Sequence, residues 1–140
     1  MRRRRPGGFT LVELLLVVVI LGILAAMVVP RLAGRAEQAK QARAAADIKG
    51  TVPLGLDLYE VDNGRFPTTE QGLQALVAKP SIEPIPKNWR GPYLKSAPVD
   101  PWGALYVYRY PAQRAKGDYD VASWGPDGVE GGGNDITNWE

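Results

Sequence analysis

From Phe9 to Pro30 the chain reads FTLVELLLVVVILGILAAMVVP, an apolar run broken by one charged residue, Glu13. A helix of that length reaches across a hydrocarbon core of about 30 Å. After Pro30 the pattern changes to RLAGRAEQAKQARAAADIKG, rich in helix-favouring Ala, Gln, Lys and Arg, so the helix is expected to continue into water, with a bend at Pro30. Ile48, Val52, Leu56 and Tyr59 then recur at three- and four-residue spacing, an apolar stripe for a small domain to cover, which Leu58 and Val61 are expected to widen. Gly50, Pro53 and Gly55 predict a kink or local break over 50–55, with the helix resuming to Val61 and closed by a left-handed cap in Asp62-Asn63-Gly64.

Beyond the cap the periodicity shortens. Thr68-Thr69-Glu70-Gln71 predicts a threonine cap on a short helix over 71–77, stopped by Lys79-Pro80. Residues 81–101 carry five prolines and read as an ordered loop lying on the domain, anchored by Trp89 and Tyr93. The turn Asp100-Pro101-Trp102-Gly103 precedes two alternating segments, 104–110 and 119–124, that predict strands. Residues 125–139 form a Gly and Asp loop without periodicity. Asp100 reads as a turn residue, and Trp102, Trp124 and Trp139 as packing residues. The fold class is α+β: one domain on a long helical stem.

Charge and composition alter this picture at two points. The chain opens MRRRRPGG, and without those four arginines thirteen basic residues face fifteen acidic ones, so the sequence pI near 9 is no argument for a nucleic-acid partner. There is neither cysteine nor histidine, which removes the thiol nucleophile, the imidazole base and the usual zinc ligands, and leaves an exported domain without a disulfide. Hydrolytic or metal-redox catalysis is correspondingly disfavoured.

Glu13 is the chemical anomaly of the apolar run. An ionised carboxylate in hydrocarbon costs about 2.5–3.5 kcal/mol on insertion scales, so such a group is kept where something pairs with it. Cleavage after Gly8 would free the α-amino group of Phe9, and in a stack of helices the carboxylate of one subunit meets the amine of its neighbour. Two plainer readings compete: a secretory signal peptide cut near Ala25-Ala26-Met27, and a simple single-pass anchor. Either leaves Arg2 to Arg5 in the cytoplasm and exports the rest.

The second constellation is Gly125-Pro126-Asp127-Gly128-Val129-Glu130-Gly131-Gly132-Gly133-Asn134-Asp135. Calcium takes six to eight oxygens, backbone carbonyls included, and glycine lets the backbone curl inward to supply them. Loops of this composition are also commonly plain turns.

The basic leader followed by G|FTLVELLLVVVILGILAA resembles the signal of type IV pilins and pseudopilins, in which a prepilin peptidase cuts after the glycine (Gly8) and methylates the new N-terminal phenylalanine (Phe9). YEVDNGRFPTTEQGL over 59–73, DPWG over 100–103 and the GPDG loop narrow the resemblance to the major pseudopilin family of bacterial type II secretion. The resemblance implies a type IV pilin-like fold, divided into a leader (1–8), a membrane and filament-core helix (9–31) and a periplasmic domain (32–140). It implies an inner-membrane subunit of a helical filament, the periplasmic pseudopilus, which helps drive folded proteins across the outer membrane. Implied partners are further copies of itself, minor pseudopilins, the inner-membrane assembly platform and the prepilin peptidase. It also implies calcium in the C-terminal loop, with the carboxylates of Asp127 and Asp135 and the carbonyls of Trp124 and Val129 as ligands. Asn134 stands where an acidic residue is usual, and the stretch between the aspartates is short for the family. The alternatives are an adhesion or motility pilin, and a membrane-anchored calcium-binding or enzymatic domain using Asp127 and Asp135. Against the enzyme, the sequence offers no nucleophile and base pair and no phosphate-binding loop.

Overall fold

The structure, a computed structural model, describes residues 7–140, so Arg2 to Arg5 and most of the leader lie outside the described residues. Helix α1 (Leu11–Ala46) begins where Thr10 supplies its N-cap: the Thr10 Oγ1 accepts the Glu13 amide at 3.2 Å. Leu11–Val28 is the one described helix apolar and long enough to cross a membrane, and all of that window is exposed within the chain. Helix α1 continues through Pro30 without a break.

The chain divides into two compact units, one ending at Gln38 and the other spanning Ala39–Glu140. In the second, Ala46 is followed by a π-helical turn, Asp47–Thr51, and then α2 (Val52–Asn63). The disturbance expected over 50–55 thus takes the form of a widened turn placed just ahead of the proline. Pro53 has no N–H to give the Lys49 carbonyl and its ring crowds that turn of a regular helix. Widening the helix there, with the Val52 amide donating to the Asp47 carbonyl, lets the rod continue with Pro53 in the first turn of α2. Gly64, at φ 74°, caps α2, and its amide donates to the Glu60 carbonyl at 2.7 Å.

Ala44, Ile48, Val52, Leu56 and Tyr59 line one buried face, as the spacing predicts. Leu58 and Val61 do not widen it. Both are exposed, Val61 by 81%, because successive residues turn about 100° around a helix and these two fall with Leu54 on the side away from the core.

Against the buried face pack Phe66, Leu73, Ala75, Leu76 and a three-stranded antiparallel sheet in the order β1 (Val107–Arg109), β2 (Asp120–Ser123), β3 (Ile136–Thr137). The predicted strands shorten to β1 and β2, while β3 lies inside the segment expected to be loop. Ala122 pairs with Thr137 and Ser123 with Ile136. The short helix expected over 71–77 is a 3-10 turn, Leu73–Leu76. The cap before it is reciprocal: Thr68 Oγ1 accepts the Gln71 amide and Gln71 Oε1 accepts the Thr68 amide.

The proline-rich loop is anchored as expected. The Trp89 indole donates to the Ala75 carbonyl at 2.9 Å and the Tyr93 hydroxyl to Asp62 at 2.9 Å. Buried Gln71 adds a fastening, its amide donating to the carbonyls of Ile82 and Pro84. The Tyr106 hydroxyl donates to Asp47 at 3.0 Å, joining the entry to the sheet to the π turn; burial first, then the Asp47 carboxylate, pushes this phenol's pKa well up.

Candidate functional site

Two places carry the chemistry. At the N-terminus, Gly8 and Phe9 lie in non-helical, exposed backbone just ahead of α1, and a Cβ at Gly8 would meet nothing within 4 Å. Glu13 follows in the first turn of α1 and is exposed, so nothing in the chain's packing buries its charge. The carboxylate at a helix N-terminus is favourably placed in the helix dipole.

At the C-terminus, the β2–β3 pairing draws together the two ends of the acidic loop, because Ser123 opposite Ile136 leaves Trp124 and Asp135 as the first residues off the sheet. A 3-10 turn, Gly125–Asp127, follows Trp124, and Gly128 ends it at φ 67°. Asp127 turns back on its own loop, Oδ1 accepting the Val129 amide at 3.0 Å. Asp135 braces the other limb, Oδ2 accepting the Gly131 amide at 2.8 Å.

These bonds leave oxygens over. Asn134 Oδ1 and Asp135 Oδ1 are buried acceptors with no donor. A side chain at Gly132 would collide with Asp127 Oδ2 and come within 3.0 Å of Asn134 Oδ1, so both oxygens point at the same small space. Orphaned buried acceptors are costly unless a donor or a cation completes them. Among the described residues no three His, Cys, Asp or Glu side chains cluster, so a cation here would draw on carbonyl and amide oxygens beside the two carboxylates. An oxygen-only donor set of this kind fits a hard cation such as calcium.

Val129, expected through its backbone carbonyl, has an exposed side chain, and its amide donates to Asp127. Glu130 pairs instead with Arg114, whose guanidinium carbon lies 5.5 Å from the Trp139 ring centroid.

Sequence reasoning missed Asp120. Only 2% exposed, it accepts the amides of Gln113 (2.9 Å), Arg114 (3.2 Å) and Ala115 (2.7 Å). The one signal for it was a carboxylate inside a strand pattern. It fixes the turn from which Arg114 reaches Glu130. Burial raises its pKa, but those three amides and the nearby Arg109 outweigh it, so the carboxyl sits below its ordinary value of 3.8. A depressed pKa stabilises the fold above the unfolded-state value, and that contribution drains away as pH falls below about 4. Asp120→Asn, which points amide hydrogens at backbone donors, is expected to cost about 2–3 kcal/mol at pH 7. Thermal unfolding across pH 2–7 checks this: the gap between wild type and variant should shrink below pH 4, and a gap independent of pH would contradict it.

The family model for type II secretion system protein G matches residues 31–139, and the prokaryotic N-terminal methylation motif matches residues 3–29. The chain is 52% identical to the type II secretion system core protein G of Pseudomonas aeruginosa, over all of this chain and 99% of that one. It is 50% identical to the core protein G of Aeromonas hydrophila, over 99% and 96%. Among solved structures it resembles the major pseudopilin of the type 2 secretion system of enterohaemorrhagic Escherichia coli, with a TM-score of 0.67 and 43% identity over 76% of this chain and 87% of the other.

Proposed function

Because the chain belongs to the type II secretion system protein G family, it is a pseudopilin, a structural subunit and not an enzyme, and we propose how its two sites serve that role. The leader is removed after Gly8 by a prepilin peptidase and Phe9 is methylated. The mature chain rests in the inner membrane through the Leu11–Val28 segment, with the Ala39–Glu140 unit in the periplasm. Assembly moves the apolar helices from lipid into a filament core, each against its neighbours. Contacts between unlike patches of one protein that do not close into a ring generate an open helix of this kind. Glu13 sets the register by pairing with the amino terminus of a neighbouring copy, a use to which a costly buried charge is suited. Minor pseudopilins and the inner-membrane assembly platform complete the machine.

The observation that carries this reading is the union of an exposed Gly8–Phe9 bond with a wholly exposed apolar stretch, Leu11–Val28, holding one carboxylate. The experiment is intact mass and N-terminal sequencing of the membrane-extracted protein, made together with a prepilin peptidase. A chain beginning at methylated Phe9 is expected. A chain cut near Ala26, or uncut, would return it to a secreted or anchored domain.

Calcium is the proposed ligand of the C-terminal loop, held by carboxylate oxygens of Asp127 and Asp135, the Asn134 side-chain oxygen and backbone carbonyls at Trp124 and Val129. The orphaned acceptors of Asn134 and Asp135 support it. Bound calcium ties the loop to the sheet, as a disulfide would in a chain that has no cysteine.

A further inference from the structure

The DPWG turn and the acidic loop are separate in sequence, yet one buried side chain joins them. Asp100 is 5% exposed and uses both carboxylate oxygens. Oδ1 accepts the amides of Trp102 (3.0 Å) and Ala104 (2.8 Å), which closes the turn. Oδ2 accepts the Ser123 hydroxyl at 2.7 Å. Ser123 is itself 1% exposed, and its Oγ accepts the Gly125 amide at 3.1 Å.

Chemistry fixes the direction of this relay. An ionised carboxylate only accepts, so the Ser123 hydroxyl hydrogen points at Asp100 and a lone pair is left for the Gly125 amide. Gly125 is held from its other side too: it sits at φ 70°, and a Cβ there would lie 2.6 Å from the Asn134 carbonyl oxygen. Trp124, whose carbonyl is a proposed ligand, stands between the two clamped residues. The hydrogen-bonded clamp on the loop entry thus comes from Asp100 and Ser123, neither of which is a proposed ligand.

We propose that Asp100 and Ser123 are positioning residues for the cation loop, transmitting the rigidity of the DPWG turn to the Trp124–Gly125 entry. The proposal deepens the calcium reading and rests on it for affinity, though not for the order of the loop. The experiment uses the full-length chain in detergent micelles, with and without calcium, in two variants and their combination. Ser123→Ala removes the relay's centre. Asp100→Asn keeps an oxygen for the Trp102 and Ala104 amides but offers Ser123 a donor in place of an acceptor.

Each single variant is expected to weaken calcium binding about tenfold and to speed amide exchange at Gly125 by at least as much, with exchange at Val121 and Leu56 unchanged. Together they should do little more than Ser123→Ala alone, since both break one path. Additive losses, or wild-type exchange at Gly125 in Ser123→Ala, overturn the proposal. If Ser123→Ala does not fold, Asp100→Asn decides alone: unchanged exchange at Gly125 overturns the proposal. If the wild type binds no calcium, the calcium reading falls, while exchange at Gly125 in calcium-free protein still decides the relay.

Discussion

Glu13→Leu should leave cleavage and membrane insertion intact and lower the yield of assembled filament at least tenfold. The sign of the first half matters. Glu13 is the lone charge of an apolar segment with mean hydropathy 3.0 over Leu11–Val28, and its ionised form opposes insertion. Leucine removes that cost, so the variant enters the membrane at least as well as the wild type. A loss of assembly would then have to arise between subunits. Deleting one partner of a buried ion pair typically costs about 3–5 kcal/mol, because the other charge is left without compensation. That is a factor of a hundred or more in a contact equilibrium, so a tenfold loss is a conservative expectation. Filament sheared from cells and counted against total subunit by immunoblot measures it. Wild-type yield from Glu13→Leu would remove the register role and leave the helix as an anchor.

The parts legible in the sequence are those set by local period or by residue chemistry. Ile48, Val52, Leu56 and Tyr59 bury because their spacing already defines a face, and Gly64 caps because a left-handed residue is needed there. Leu58 and Val61 show the limit of counting: they are apolar and near in sequence, but direction around the helix, not composition, decides burial. Pro53 announced a disturbance, while the π turn that absorbs it lies upstream, where Asp47 also accepts the Tyr106 hydroxyl. The two residues of β3 are too few to show alternation, and their pairing depends on β2.

The composition of the acidic loop is plain in the sequence, but its internal hydrogen bonding is not. Glycines and carboxylates suit either a cation or a plain turn, and which oxygens remain unpaired follows from bonds the loop makes with itself, such as Asp127 with the Val129 amide. Glu130 has the right chemistry, but it pairs with Arg114, which is placed by the buried Asp120. Asp100 illustrates the same point from the other side. A turn aspartate and a buried hub read alike in sequence, and the bond to Ser123 spans twenty-three positions.

Calcium removal should have the second large effect. The loop has no disulfide and little apolar burial of its own: Val129 is exposed, and so are Pro126 and the glycines 128 and 131–133. Its order then depends on satisfying the Asn134 and Asp135 oxygens that lack donors. A ligand that binds only the folded state stabilises it by about 2.7 kcal/mol at one hundred times its dissociation constant. For a unit the size of Ala39–Glu140, that corresponds to a melting shift on the order of 10–20 °C. Chelation of the wild type should lower Tm by that order, and readdition of calcium, but not of magnesium, should restore it. Magnesium demands a tighter octahedron than a glycine-rich loop with mixed carboxylate and carbonyl donors provides. Asp127→Ala should melt near the chelated wild type and respond to neither ion, because it removes the oxygen aimed into the space before Gly132. The same variant should assemble less filament, since a loosened loop frees the chain end that Arg114 and Trp139 otherwise hold against the domain. Identical melting of the wild type with and without chelator would take calcium out of the protein's design and leave the loop a plain turn.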